Sequence, residues 1–142
     1  MVTDVEKVFD DYNAAWNSHD VERIVSLFTD DGVHEDIAIG AVSRGKEELK
    51  SFIGTTFVFF PDFKAEVTSR FGAGDWSARE WVMTGTQKGD MPGLPATGKS
   101  FSLRGASITE LKEGKIRRNT DYWNLASLLQ QLGVMPATPP SE

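Results

Sequence analysis

The sequence predicts a single α+β domain in which helices gather on one face of a mostly antiparallel sheet. Three observations carry this. Apolar residues recur at three- and four-residue intervals in three segments before Pro61, alternate with polar residues through much of the stretch from Phe63 to Trp123, and tight Gly-containing turns divide that stretch into hairpins. At 142 residues the chain fits one core, because a chain of this size buries about 68–70% of the surface its unfolded form exposes.

Thr3 and Glu6 have the spacing of a capping box, and Val5, Val8, Phe9, Tyr12 and Trp16 follow at helical intervals, which predicts a first helix. Asp20 is placed to cap a second helix whose stripe is Val21, Ile24, Val25 and Phe28 and which Asp30-Asp31-Gly32 ends. Val33 to Ile39 reads as a short strand and Gly40 to Gly45 as a loop. From Lys46 to Phe60 the positions Leu49, Phe52, Ile53, Phe57 and Phe60 fit a helical face, although Thr55, Thr56 and Val58 are poor helix formers. Pro61 ends that helix.

Phe63 to Arg70 and Trp76 to Gln87 form strands on either side of Gly72-Ala73-Gly74-Asp75. The stretch Gly89 to Gly98 is too rich in Gly and Pro for regular structure and reads as an ordered loop, with the alternatives of a lid and a plain connection both open. Lys99 to Lys112 and Ile116 to Trp123 make a long hairpin around Glu113-Gly114, and Leu125, Leu128, Leu129 and Leu132 line a short helix closed by Gly133. Residues 1–135 make the domain, and 136–142 read as a flexible tail.

The net charge of −6, with acids and bases interspersed, disfavours nucleic-acid binding, which draws on clustered cations. With no cysteine, thiol and thiolate-metal chemistry are excluded. The acidic, polar N-terminus is unlike a secretory signal, and no segment has the apolar length of a membrane span, so a soluble, unprocessed, cytoplasmic protein is expected.

Several short motifs then stand in a recognisable order: Phe60-Pro61-Asp62-Phe63, Gly74-Asp75-Trp76, Gly85-Thr86, Gly89-Asp90-Met91-Pro92-Gly93-Leu94-Pro95, Thr97-Gly98-Lys99, Gly114-Lys115-Ile116, Asp121-Tyr122-Trp123 and Gln131-Leu132-Gly133. Their order and spacing resemble those of SnoaL-like polyketide cyclases over nearly the whole chain. The resemblance implies a cone-shaped barrel shared with ketosteroid isomerases and limonene epoxide hydrolases, in which N-terminal helices and a strongly curved, mixed but mostly antiparallel sheet enclose one pocket. It also implies a cofactor-independent, cyclase-like enzyme that moves protons on a small hydrophobic carbonyl compound, polycyclic or aromatic. A non-catalytic binding module, an isomerase and an epoxide hydrolase of the same fold are the alternatives.

Asp121 falls where family cyclases carry their acid/base aspartate. Alternation puts it on one face with Asn119 and Trp123, where burial among aromatics is expected to raise its pKa. Ser107 stands where active cyclases place a histidine, and Gln87 replaces a second one; its neutral amide suits orienting a carbonyl. His34, on the early strand, is a candidate for the missing basic group, whereas His19 is expected in solvent with no role.

Asp36 and Tyr12 fall near an isomerase base and its tyrosine donor, though the third isomerase residue would be at Ser107. Asp121 and Arg79 match two members of an epoxide hydrolase Asp-Arg-Asp set, with Trp81 in the third place. Trp16, Phe57, Trp81, Met83, Phe101 and Trp123 are expected to line the pocket, and Arg104 to point away from it. Two histidines with Glu35 and Asp36 lack a recognised ligand spacing, so no metal is expected. Thr68, Arg70, Glu80, Val82 and Ile108 make an outer sheet face that is only partly polar, which leads to the expectation of a homodimer.

Overall fold

The amphipathic stripes become helices wherever an apolar face and a stop signal coincide. The computed structural model describes residues 4–136. It contains α1 (Asp4–Asn17), α2 (Val21–Ser26), β1 (Phe28–Asp36), β2 (Ala41–Arg44), α3 (Gly45–Phe59), β3 (Lys64–Ala73), β4 (Trp76–Thr86), β5 (Ser100–Lys112), β6 (Lys115–Trp123) and α4 (Leu125–Gln131). The Thr3 capping box and the tail beyond Pro136 lie outside the described residues. Asp20 caps α2 by accepting from the Arg23 N–H at 3.0 Å, and Asn124 caps α4 by accepting from Ser127 N–H at 3.1 Å.

The six strands form one sheet in the order β2-β1-β6-β5-β4-β3. Among the described residues only the β1–β6 pair is parallel, the others are antiparallel, and β2 and β3 are the edge strands. The β5–β6 turn places both Glu113 and Gly114 at positive φ, the type I′ pattern that matches the twist of a two-residue hairpin. α1 packs on β3 and β4, α3 on β1 and β2, and α4 on β5. One core cluster joins Phe9, Ile24, Phe28, Leu49, Ile53 and Ile116; the other joins Phe60, Phe63, Phe101, Leu103, Leu128 and Leu132.

Three expectations about the chain are corrected. Phe28 belongs to β1, and Asp30-Asp31-Gly32 do not end a helix but form an irregularity in that strand: β1 advances from Phe28 to Val33 while β6 advances only from Ile116 to Arg118. The extra residues are accommodated because a bulge adds chain to one strand without displacing its partner. Residues 41–44, expected as loop, form β2 by pairing with Val33 to Asp36. Arg70 does not share the outer face, because a bulge between Val67 and Ser69 reverses the alternation and turns it toward α1, where it pairs with Asp10. Thr68, Glu80 and Ile108 are exposed and Val82 is half-buried.

Register matters most for function. Residues paired across strands share a face, so the inner face is laid out in transverse rows. Asp36, Asp121, Ser107 and Arg79 form one row across β1, β6, β5 and β4. His34, Asn119, Thr109 and Ser77 form the next row on one side. Trp123, Gly105 and Trp81 form the row on the other side. Polar groups are thus confined to two adjacent rows, with aromatic and aliphatic side chains beyond them.

Candidate active site

A cavity of about 650 Å³ lies between the inner sheet face and the helices. This volume is within the usual range for small-molecule sites. Tyr12 and Trp16 reach it from α1, Phe52, Thr55, Thr56 and Phe59 from α3, and Met91 and Pro92 from the loop after β4. The sheet contributes His34, Asp36, Arg79, Trp81, Met83, Phe101, Ser107, Asp121 and Trp123.

Asp121 sits at the centre of the polar rows with its carboxylate held from three sides. Ser107 Oγ–H donates to Oδ1 at 2.6 Å, Asn119 Nδ2–H donates to Oδ1 at 2.8 Å, and His34 Nε2 lies 3.1 Å from Oδ2. The side chain keeps 21% exposure, which is its opening to the cavity, whereas His34 keeps only 2%. Burial alone pushes the Asp121 carboxyl upward. The electrostatic pull of His34 and the hydrogen bonds from His34, Ser107 and Asn119 together outweigh burial and hold it below the usual carboxylate range. The expected rise in its pKa is therefore corrected: the apolar wall is present, but donors reach the carboxylate first.

The donors are themselves positioned. Trp81 Nε1–H donates to Ser107 Oγ at 2.8 Å, which leaves the Ser107 hydroxyl hydrogen for Asp121. Thr109 Oγ1–H donates to Asn119 Oδ1 at 2.6 Å, which fixes the amide so that its nitrogen faces Asp121. Because the ionised carboxylate only accepts, His34 Nε2 carries the hydrogen of that contact. The imidazole packs against Phe52, and its Nδ1 is buried without a partner.

Asp36, next to Asp121 in the row, behaves oppositely. Its carboxyl stands above the usual range because burial disfavours its charge, with Asp121's charge adding to the rise against a 3.0 Å bond from Trp123 Nε1–H. Two adjacent carboxyl groups are thus driven apart in proton affinity, the pattern that separates a proton acceptor from a proton donor. Tyr12 is pushed up strongly, by burial first and by Asp121 second, so its phenol stays protonated.

The structure therefore brings Asp121, His34, Ser107, Tyr12, Trp16, Asp36, Trp81, Met83 and Trp123 to one cavity. Three other expected pocket residues do not line it. Gln87 is fully buried beside the Gly89 to Gly98 loop, where Nε2 donates to Leu94 O at 3.2 Å and Oε1 accepts from Thr97 Oγ1–H at 2.8 Å. Its amide satisfies loop backbone instead of a ligand carbonyl. Phe57 stacks on His19 at 4.2 Å and packs edge-on to Trp16, which places it in the core behind the wall. Asn119 is fully buried and acts on Asp121 from beneath.

His19 is not simply in solvent, since its Nε2 lies 2.7 Å from Phe63 O. Arg104 is exposed, as the alternation implies. From α3 the sequence points to Phe57, whereas Phe52, Thr55, Thr56 and Phe59 line the cavity, and their signal is the run of poor helix formers in that helix. Thr55 and Thr56 lie on the same stripe as Phe52 and Phe59, as suits a helix face turned to a hollow instead of a packed core.

These features define a cone-fold protein with a pocket lined by two neighbouring carboxyl groups, of the class that includes ketosteroid isomerase-like folds. The chain belongs to the SnoaL-like polyketide cyclase family, whose sequence profile matches residues 6–132. Among curated relatives it is 30% identical to the cyclase aurE of Calcarisporium arbuscula over 115 residues, covering 80% of this chain and 82% of that one. It is 26% identical to the aklanonic acid methyl ester cyclase DauD of a Streptomyces species over 113 residues, covering 75% and 70% of the two chains. A solved Catenulispora acidiphila protein with a ketosteroid isomerase-like fold superposes with a TM-score of 0.80 at 27% identity, covering 94% of this chain and 98% of that one. Among the described residues no helix is long and apolar enough to cross a membrane.

Proposed function

We propose that this chain is a cofactor-independent enzyme of the polyketide cyclase type, closing a ring by intramolecular aldol chemistry on a small hydrophobic carbonyl compound. The observation that carries the reading is a pair of neighbouring carboxyls in one row at one apolar cavity, Asp121 gripped by three donors that lower its proton affinity and Asp36 raised above the usual range by burial. Asp121 Oδ2 takes a proton from a carbon beside a carbonyl, and the C–H electron pair moves into the carbonyl to give an enolate. The enolate carbon adds to a second carbonyl of the same molecule, and the alkoxide so formed takes the proton of Asp36. A proton returned from Asp121 to Asp36 resets the site, so the reaction is an isomerisation with no net proton change.

A carboxylate held below its ordinary range is a weak base, so it suits a carbon flanked by two carbonyl groups better than a simple ketone. His34, Ser107 and Asn119 position that base and stabilise its charge. An isomerase-like assignment, with Asp36 as base, requires Asp36 in its ionised form, which burial and the adjacent Asp121 charge disfavour.

The test is catalysed exchange of acidic C–H for deuterium in a panel of aryl keto esters and diketones, followed by proton NMR at mildly acidic pH where background exchange is slow. The protein should accelerate exchange for at least one polycyclic member. No acceleration across a panel whose members demonstrably bind would overturn the enzyme reading in favour of a binding module.

A further inference from the structure

We propose that Arg79 anchors a carboxylate on the ligand, so that the cavity takes an apolar, ring-bearing acid in preference to the corresponding neutral ester. Arg79 is 5% exposed and lines the cavity. Its guanidinium carbon lies 4.3 Å from the centre of the Phe9 ring and 5.5 Å from that of Tyr12. The ring faces attract the cation but take no conventional hydrogen bond from its N–H donors. Among the described residues no ion pair is formed by Arg79, and its Nε is buried without a hydrogen-bond partner.

A buried arginine stays charged, and a buried charge without a hydrogen-bonded counter-ion is costly. The neighbouring acids do not supply one. Asp10 is paired with Arg70. Asp121 is two strands away along the row, and its oxygens are engaged by Ser107, Asn119 and His34. Burial lowers the proton affinity of Arg79, with Tyr12, Asp121 and Asp10 offsetting part of the loss, so a bound anion would relieve a strain that the protein alone leaves in place. The Tyr12 hydroxyl, also buried without a partner, adds a second donor beside it.

The planar fork of an arginine matches a carboxylate through two parallel hydrogen bonds, which a methyl ester cannot accept with the same charge or geometry. The reach of the site agrees. Two strand spacings along the row separate the Arg79 and Asp121 backbones by about 10 Å, which leaves room for a ring system between the anchored acid and the carbon that Asp121 would deprotonate. Because the guanidinium is drawn over Phe9 and Tyr12 of α1, it is placed for a permanent anion at the far end of the ligand and not for the oxygen of the enolate.

The inference rests on the reading of this cavity as the substrate site, but not on proton transfer, so it is tested by binding alone. Anthracene carboxylate, its methyl ester and its carboxamide are titrated into the protein at neutral pH and followed by calorimetry. The wild-type protein should bind the acid at least about tenfold tighter than the ester or amide, and Arg79→Gln should lose about tenfold or more for the acid while changing the ester little. Arg79→Lys should keep part of the preference. Should the variants fold poorly, the wild-type comparison at low and high salt decides alone. Equal affinity for acid and ester in the wild type, tighter binding of the ester, or no binding of the acid would overturn the anchor. Exchange activity without acid preference would leave the cyclase reading standing, and acid preference without exchange would leave the anchor standing.

Discussion

Replacing Asp121 with asparagine is expected to slow catalysed C–H exchange by about 10²–10⁴-fold while ligand affinity changes only a few-fold. The substitution is nearly isosteric and leaves most of the local bonding possible. The amide oxygen can still accept from Ser107 Oγ–H and Asn119 Nδ2–H, which now meet Oδ1 at 2.6 and 2.8 Å. The amide nitrogen would face His34 Nε2, and a change of imidazole tautomer restores a bond there. What disappears is the carboxylate of this row that is held below the ordinary range and keeps an opening to the cavity. The fold and the apolar walls remain, so a loss of exchange with retained binding isolates the proton-transfer step. Exchange that survives at the wild-type rate would mean that another group is the base.

Introducing a methyl group at Gly105 is expected to destabilise the fold by about 2–3 kcal/mol, as overpacking of a tight interior does, and to lower Tm by roughly 5–15 °C for a domain of this size. Gly105 is paired with Trp81 on one side and Trp123 on the other. A Cβ there would stand 2.3, 2.5 and 2.8 Å from three carbons of the Trp81 ring, so the indole must move. That ring lies across the glycine so that its Nε1–H reaches Ser107 Oγ at 2.8 Å. Displacing it removes the donor that orients the Ser107 hydroxyl and loosens one of the three grips on Asp121. Gly105→Ala should therefore lose exchange activity as well as stability, measured by thermal unfolding and by the NMR assay. An unchanged Tm would show that the indole relaxes without cost and that the glycine is not required.

The fold was legible where local pattern and local stop signals agree. The α1 stripe, the Asp20 cap, the Pro61 stop and the Glu113-Gly114 turn each need only their own segment, and each appears in the structure close to its expected place. The failures share one cause, which is dependence on a distant partner. Phe28 fits a helical stripe as well as a strand, and pairing with Ile116 decides between them. Residues 41–44 are too short to show alternation and become a strand only by joining β1. Arg70 followed a two-residue period that a single bulge reverses.

The site divides in the same way. Alternation and the family resemblance bring Asp121, Ser107 and Trp123 to one face, and that needs only strand period. The sign of the Asp121 shift depended on Asn119, Ser107 and His34 arriving as donors from three strands, so reasoning from an aromatic environment alone gave the wrong direction. Gln87 was assigned to the pocket by its position after Gly85-Thr86, but the unpaired backbone of a Pro- and Gly-rich loop claims its amide.

The division between Asp121 and Asp36 also sets opposite pH trends in stability. Asp121, with its folded value lowered, contributes stability that is present above its unfolded-state value and lost as pH falls through the folded one. Asp36, with its folded value raised, contributes stability at low pH that is lost as pH rises through its folded value. The most direct measurement of the central claim is therefore a carbon-13 NMR titration of the side-chain carboxyls, assigned with Asp121→Asn and Asp36→Asn. The Asp121 signal should titrate below the ordinary aspartate range and the Asp36 signal above it. Both carboxyls titrating together in the ordinary range, or in the reverse order, would contradict the assignment of one as proton acceptor and the other as proton donor.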